Sequence, residues 1–251
     1  VAVWHALGTL SSSGISPVGG LEGGQSGLAG EVLVFLMLMV ALSRRAIPTD
    51  PQAGHFHRLI TDPELRTGLI IVGMVTLFLF LRHWIGAVGV DTAGDLRTAG
   101  ATIWGAMFTA MSFLSTNGYM SASWQNVQSW TGLGGPGIIL LGLAIFGGGV
   151  ATTAGGVKLM RVLVLATHTL RELERLVHPS SVGMTRTMPR NQRRRGAFVA
   201  WIFFMVFASS LSVLAAGLTL AGQGFEQAVV LSVAMLTTTG PLAQHALAEP
   251  V

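Results

Sequence analysis

The chain has 251 residues, no cysteine, 51% hydrophobic residues and only 10% charged residues. A soluble domain usually carries roughly 25% charged residues, and the mean hydropathy here is high, at +0.62. This composition predicts a membrane protein. The lack of cysteine excludes disulfides and thiolate metal sites but leaves the redox compartment open.

The fifteen Lys and Arg residues are concentrated in two connections between apolar segments. One connection contains Arg44, Arg45, Arg58 and Arg66, and the other extends from Lys158 to Arg195. The positive-inside rule places both connections in the cytoplasm. The isoelectric point near 11 is therefore a topology signal rather than evidence for nucleic-acid binding. At most, the basic surface also contacts anionic membrane lipid or a cytosolic partner.

The first element is a short apolar stretch that ends in a polar loop, VWHALGTLSSSGIS (Val3–Ser16). Its helical part of about eleven residues would rise about 16 Å, half of a hydrocarbon core. Such a segment enters and leaves on the same side of the membrane, as a re-entrant half-helix. Two longer apolar segments follow and predict spanning helices, from about Ser26 to Arg45 and from about Glu64 to Val88.

Two further copies of the first pattern occur at Met107–Met120 and Val229–Leu242, and all three align without gaps. Each copy ends in three small polar residues and a glycine. These are Ser11, Ser12, Ser13 and Gly14; Ser115, Thr116, Asn117 and Gly118; and Thr237, Thr238, Thr239 and Gly240. Non-helical backbone at membrane depth is tolerated only where protein buries it or water lines it. The partially negative C-terminal end of a half-helix suits a cation.

These loops have the composition of a potassium selectivity filter. Such filters replace the hydration shell of the ion with backbone carbonyls, and glycine allows successive carbonyls to turn toward one axis. One such loop is more simply a helix C-cap, but three copies after short apolar helices favour a pore. The candidate ion-binding residues are Ser12, Ser13, Gly14, Ser115, Thr116, Asn117, Gly118, Tyr119, Thr238, Thr239 and Gly240.

A glycine-rich stretch, GGGVATTAGGVKLMR (Gly147–Arg161), interrupts the helix that is predicted from Gly137 to Gly147. Glycine costs about 1 kcal/mol relative to alanine in a helix interior, so the cluster favours an unwound segment, although small residues also permit close helix packing. An amphipathic helix resumes over about Val157–Val177. Lys158 and Arg161 are expected at the cytoplasmic end of the pore. The candidate gate residues are Gly147, Gly148, Gly149, Thr152, Thr153, Gly155, Gly156, Lys158 and Arg161.

Four segments together resemble the Trk/Ktr/HKT potassium-transporter superfamily. They are HRLITDPELR (His57–Arg66), STNGY (Ser115–Tyr119), the glycine-rich stretch and RELERLVHP (Arg171–Pro179). The resemblance implies an all-α membrane protein of helix, re-entrant pore loop and helix units around a pseudo-fourfold pore. Residues 1–46, 64–179 and 197–251 then correspond to repeats two, three and four, with the start of repeat four led by a helix over about Ala197–Leu220. The chain is expected to be a fragment that lacks the first repeat and the last helix.

The same resemblance implies potassium uptake through a gated pore in the bacterial inner membrane. It implies a homodimer, a cytosolic nucleotide-binding regulatory ring (TrkA- or KtrA-like) and an intramembrane gate at Gly147–Gly156. No cofactor is expected, and potassium is held through filter carbonyls only. Asn117 replaces a common threonine, and the third loop lacks the usual asparagine before Thr-Gly-Pro, so a sodium-conducting member stays open. A secondary transporter with re-entrant hairpins and a non-transporting scaffold are further alternatives.

Several polar and aromatic residues lie outside these motifs. Glu31 is near the start of an apolar helix, where a carboxylate is either functional or interfacial, and the sequence does not decide between them. The isolated His5 is expected at the membrane interface. No nucleophile–base pair, phosphate loop or metal-ligand spacing is recognisable, so enzymatic activity is not expected. An aromatic belt is expected from Trp84, Trp104, Trp124 and Trp130.

Overall fold

The computed structural model describes residues 2–16, 18–21, 23–24, 26–42, 62–86, 96–131, 137–149, 152–178 and 190–245. All regular elements in these ranges are α-helices, which confirms the predicted all-α fold. They are α1 Ala2–Ser11, α2 Gly27–Leu42, α3 Pro63–Gly86, α4 Leu96–Leu114, α5 Trp124–Thr131, α6 Gly137–Phe146, α7 Leu159–Val177, α8 Arg190–Leu220, α9 Phe225–Thr237 and α10 Leu242–His245.

Helix α4 lies at the centre of the packing, in contact with α2, α3, α5 and α6. Its side chains Phe108, Met111, Phe113 and Leu114 are fully buried. Helix α9 packs on α8 and α6, and α7 packs on α8 and α3. The element that carries the second polar loop is therefore surrounded by helices, which places that loop inside the protein.

Two helices are long and apolar enough to cross a membrane by length and composition, Pro63–Arg82 and Gly196–Leu220. Only 11% of the apolar window in the second one is buried, so α8 presents apolar side chains such as Phe198 and Ile202 outward. A hydrophobic surface on nearly all sides suits contact with lipid. Four shorter helices are also apolar, at Gly27–Leu42, Ala99–Leu114, Gly137–Phe146 and Phe225–Thr237.

Helix lengths depart from the expectations at two places. Helix α4 has 19 residues, longer than the half-helix expected, because Ala99 and Ala101 favour helix upstream of the apolar part. Helix α8 begins at Arg190 rather than near Ala197, since arginine and glutamine are also good helix formers. The half-helices α1 and α9, with 10 and 13 residues, are short as predicted.

The interruption predicted from the glycine cluster is present between α6 and α7, and the helix resumes at Leu159. The amides of Val157, Lys158 and Leu159 donate to the carbonyls of Ile145, Gly147 and Gly148, at 2.9, 3.2 and 3.1 Å. The start of α7 thereby satisfies carbonyls at the end of α6 that would otherwise lack a partner. The described residues between the two helices are not helical. We call its described residues 147–149 and 152–158 the broken segment.

The expected aromatic belt is wrong for one of its members. Trp124 is only 3% exposed, within the hydrophobic core, because the start of α5 packs against α4 and α3. The side chains of Trp84 and Trp130 lie outside the described residues, as do residues 57–61 of the family-like stretch that ends at Arg66.

Candidate ion-conducting site

The three helices that precede the polar loops, α1, α4 and α9, end in the same hydrogen-bonded turn. At the first, Ser12 N donates to Thr9 O (3.3 Å) and Ser13 N donates to Gly8 O (3.2 Å). The same pair of bonds, from positions i to i−3 and from i+1 to i−4, closes the other two helices. It joins Thr116 to Phe113, Asn117 to Ser112, Thr238 to Met235 and Thr239 to Ala234. This is the Schellman motif, and its threefold occurrence confirms the gapless alignment of the repeats.

The helix-ending residue in each copy is the middle residue of the polar triplet, not the glycine. Ser12, Thr116 and Thr238 have φ of 48°, 61° and 60°. Glycine normally occupies this position, and the left-handed conformation costs an L-residue about 1–2 kcal/mol. Because the glycines do not occupy the helix-ending position, a role as helix C-cap does not explain them. Strain of this kind persists only where the surrounding structure enforces it.

The loops that we call the first, second and third candidate filter loops (Ser11–Gly14, Ser115–Gly118 and Thr237–Gly240) converge. Gly14 N donates to Asn117 Oδ1 at 3.0 Å, in the buried contact between the first two loops. A Cβ on Gly14 would lie 1.9 Å from Asn117 O and 3.2 Å from Pro241 Cδ. A Cβ on Gly118 would lie 3.3 Å from Pro241. The three loops are thus brought together around their glycines.

A cavity of about 410 Å³ adjoins the three loops. It is lined by the glycines and by residues that follow them in the chain. Its lining includes Ser13, Gly14, Gly118, Tyr119, Gly240 and Pro241. Among the described residues, this lining includes two serines and five glycines but no Asp or Glu.

The third loop differs from the other two. Gly14 and Gly118 have positive φ, +60° and +81°, whereas Gly240 is not among the positive-φ glycines of the described chain. The space around a Cβ on Gly240 is open to 4 Å. Pro241 follows directly and α10 begins at Leu242. The sequence alignment treats the three glycines as equivalent, but only two of them require glycine for backbone conformation.

The broken segment lies against residues that precede the glycines. Gly155 N donates to Thr116 Oγ1 at 3.2 Å, and Thr153 Oγ1 donates to Ser11 O at 2.6 Å. The Thr153 hydroxyl also lies 3.0 Å from Ser12 Oγ. A Cβ on Gly155 would meet the Thr237 backbone at 2.4 Å. All three candidate filter loops therefore contact this segment, on the side away from the 410 Å³ cavity lining.

The strained middle residues supply part of this contact. The hydroxyls of Ser12 and Thr116 bond to the broken segment, and Thr238 Oγ1 donates to Thr237 O (2.6 Å) and, at 3.4 Å, to Ser12 O. Glycine would relieve the strain but would remove these hydroxyls. The Ser and Thr side chains thus account for the absence of glycine at the helix-ending positions.

The two cations that follow the glycine cluster have different surroundings. Lys158 Nζ donates to the carbonyls of Gly149 (3.2 Å), Thr152 (3.1 Å) and Ala154. It thereby uses its three donors within the broken segment. The Arg161 guanidinium carbon lies 3.9 Å from the centre of the Phe203 ring of α8, a cation–π contact. The two side chains thus end at different partners, Lys158 at carbonyls of the broken segment and Arg161 at the Phe203 ring.

The remaining candidate gate glycines permit close backbone packing. Gly148 N donates to Leu114 O at 2.8 Å, at the end of α4. A Cβ on Gly147 would lie 2.1 Å from that same oxygen, and one on Gly156 would lie 2.8 Å from Ala144 O. A Cβ on Gly149 would lie 2.9 Å from Ala41 O of α2. The cluster is dense in glycine because backbone approaches backbone there.

Sequence reasoning missed how residues beyond the glycines connect the first two loops. Tyr119, 1% exposed, donates its hydroxyl to Ile15 O at 3.2 Å and packs edge-on against His5, with ring centres 5.6 Å apart. His5 is 5% exposed and its Nε2 lies 2.9 Å from Ser16 Oγ. The interfacial placement expected for His5 is wrong, since its ring fills space behind the first loop. For Pro241, the available signal in the sequence was its position directly after the third glycine.

Comparison with known proteins agrees with this architecture. The chain is 25% identical over 246 residues to the Trk system potassium uptake protein TrkH of Vibrio parahaemolyticus, covering 96% of this chain and 48% of that relative. It is 26% identical over 222 residues to TrkH of Escherichia coli, covering 86% and 44%. The chain thus spans about half the length of the curated relatives that it matches.

The fold also matches a solved structure. The crystal structure of the potassium transporter TrkH from Vibrio parahaemolyticus superposes with a TM-score of 0.74 at 23% identity, over 94% of this chain and 48% of that one. The family described as TrkH cation transport proteins matches residues 32–241. The family resemblance read from the motifs is thereby confirmed: the chain belongs to the TrkH family of cation transport proteins.

Proposed function

We propose that the full-length protein mediates potassium uptake across the membrane through a gated pore, and that the three candidate filter loops form part of its selectivity filter. The observation that carries the proposal is the convergence of three identical Schellman turns at Gly14, Asn117–Gly118 and Pro241. Half-helices that direct their C-terminal ends at one point favour a cation there. The relatives named as potassium uptake proteins support potassium as the ion.

The broken segment is proposed as the gate. It contacts the three candidate filter loops through Thr153, Gly155 and the backbone of Thr237. Lys158 holds it in this shape by binding three of its carbonyls. Displacement of the segment would break only a few hydrogen bonds, each worth about 0.5–1.5 kcal/mol net. The binding of a regulatory partner is able to supply a free energy of this size and so to shift an equilibrium between two states.

A fourth filter loop, a pseudo-fourfold pore, a homodimer and a cytosolic nucleotide-binding ring belong to the same proposal. They rest on the superfamily resemblance and on the relatives' designation as parts of a Trk system. We assign residues 1–46, 64–179 and 197–251 to successive repeats. The order of elements in the chain, which is a half-helix, a polar loop and a following helix, supports this assignment. The bacterial inner membrane is the proposed location, with the basic connections cytoplasmic.

The experiment is rubidium and sodium uptake by the full-length protein in cells that lack their own potassium-uptake systems. We expect rubidium uptake that potassium inhibits. Gly118→Ser should abolish or alter this flux while the protein still accumulates in the membrane, and Gly217→Ser on α8, with open space around it, is the matched control. Folded protein without cation flux would refute transport. Sodium flux in preference to rubidium would favour the sodium-conducting alternative.

A further inference from the structure

Glu31 is a buried carboxylate in the second turn of α2, with 4% exposure. In all four hydrogen bonds that the structure gives it, a neutral N–H or O–H group donates to a carboxylate oxygen of Glu31. Trp104 Nε1 donates to Oε2 at 2.6 Å, and Ala122 N donates to Oε1 at 2.7 Å. The Ser121 hydroxyl lies 3.0 Å from both oxygens. The sequence left open whether Glu31 is functional or interfacial, and the structure shows a buried, fully hydrogen-bonded carboxylate.

No Lys or Arg in the described part of the chain forms an ion pair with Glu31. A carboxylate at membrane depth is costly unless it is paired or hydrogen-bonded. Here neutral donors satisfy it, and hydrogen bonds to a charged acceptor are roughly twice as strong as neutral ones. This arrangement indicates that the role of the carboxylate is to hold its donors in a fixed geometry.

These donors belong to two parts of residues 64–179, the repeat that carries the second candidate filter loop. Trp104 lies on α4, the helix that leads into the second candidate filter loop. Ser121 and Ala122 lie just after Gly118 and Tyr119, on the segment that leaves this loop. Ser121 N also donates to Thr109 Oγ1 at 3.4 Å. One carboxylate from the preceding repeat therefore connects α4, which leads into the second candidate filter loop, to the segment that leaves this loop, which we call the outgoing segment.

The outgoing segment has a second attachment at its other end. The Tyr119 hydroxyl donates to Ile15 O, just after the first candidate filter loop, at 3.2 Å. Gly118 and Tyr119 thus lie between two fixed points, Asn117 bonded to Gly14 and Ser121 bonded to Glu31. Carbonyl positions in a filter determine which ion replaces its hydration shell most favourably. A shift of Ser121 would be transmitted to those carbonyls over two residues.

We infer that Glu31 is a positioning residue for ion selectivity, which holds the backbone after the second candidate filter loop through Ser121, Ala122 and Trp104. This inference rests on the proposed function, since selectivity presupposes cation transport. Glu31 itself is not among the residues that line the 410 Å³ cavity, so it acts through the segment and not by binding the ion.

The test compares rubidium and sodium uptake by the full-length protein and its variants. Glu31→Gln keeps the shape but replaces one acceptor by a donor, which faces Ser121, Ala122 or Trp104. We expect the rubidium-to-sodium ratio to fall about ten-fold, the effect of losing a charge-assisted hydrogen bond. Glu226→Gln on the exposed start of α9 is the matched control and should keep the wild-type ratio.

A second variant keeps the test decisive if Glu31→Gln does not accumulate as folded protein. Ser121→Ala removes one donor and leaves Trp104 and Ala122 in place, so we expect a fall of about two- to five-fold in the ratio. Ser209→Ala on α8, whose hydroxyl bonds only within its own helix, is its control. An unchanged ratio in folded Glu31→Gln, or in Ser121→Ala, overturns the inference even though wild-type protein transports rubidium. Absence of rubidium uptake by the wild type would instead refute the proposed function.

Discussion

The amide of Gly155 donates a hydrogen bond to the hydroxyl of Thr116 at 3.2 Å. This bond joins the broken segment after α6 directly to the left-handed residue that ends α4. A helix interruption and a candidate filter loop, separate features in the sequence, are therefore one hydrogen-bonded unit. The unit predicts how substitutions on either side affect ion flux.

Thr153→Val should raise the basal flux. The substitution keeps a β-branched side chain but removes the hydroxyl that contacts Ser11 O and Ser12 Oγ. Loss of about 1–2 kcal/mol of contact would shift a closed state toward an open one by about five- to thirty-fold. Rubidium uptake without an activating partner measures it. Thr167→Val on α7, whose hydroxyl bonds only to its own helix, is the control, and equal flux in both variants would count against a gating contact.

Lys158→Met should raise basal flux further, by ten-fold or more, because three carbonyls of the broken segment lose their common donor. Removal of a positive charge near the pore also lowers repulsion of a permeating cation. Arg161→Met makes the same change in charge but removes the contact with Phe203 and leaves the three carbonyls with their donor.

The comparison of these two variants tests the separate roles of the cations. We expect Arg161→Met to retain nearly wild-type basal flux in the same rubidium assay. A comparable rise in both would mean that Arg161 also faces the ion path, as the sequence alone predicted.

Alanine substitution of the three loop glycines should give graded effects. Gly14→Ala should abolish uptake, because its Cβ would lie 1.9 Å from Asn117 O at a φ of +60°. Gly118→Ala would place a Cβ in tight contact with Pro241, at 3.3 Å, and requires a φ of +81°, a strain of about 1–2 kcal/mol, so uptake should fall in part. Gly240→Ala meets open space and should be nearly neutral. Uptake per folded protein in the membrane measures the series, and equal losses at all three would contradict it.

Asn117→Leu should lower the preference for rubidium over sodium. The side-chain oxygen accepts a hydrogen bond from Gly14 N, and leucine of similar volume leaves that buried amide without its acceptor, at a cost of about 1–3 kcal/mol. The first loop would then shift relative to the second. Uptake of both ions by folded protein measures the change, and Asn126→Leu on the exposed face of α5 is the control. A retained preference would show that the contact is dispensable for selectivity.

Much of the architecture was predictable because it depends on local patterns. Apolar runs and helix formers place α2, α3 and the apolar part of α8 within a few residues of their observed bounds. Five glycines close together disfavour helix regardless of context, so the break after α6 was predictable too. The repeat of three small polar residues and a glycine revealed three equivalent turns, since similar local sequences end helices in similar ways.

Other features depended on residues far apart in the chain. Lys158 and Arg161 are equivalent as charges in a sequence. They separate only because one side chain reaches the carbonyls of the broken segment and the other reaches the Phe203 ring.

The sequence by itself determined the class of protein, the repeated half-helix and loop, and the interruption of one helix, since hydropathy and backbone propensity are properties of neighbouring residues. The tertiary structure alone decided that Ser12 and Thr116 contact the broken segment, that His5 is buried behind the first loop, and that Glu31 binds Ser121 across 90 residues. Such contacts arise from the packing of whole helices, and their partners are chosen by distance in space rather than by spacing along the chain.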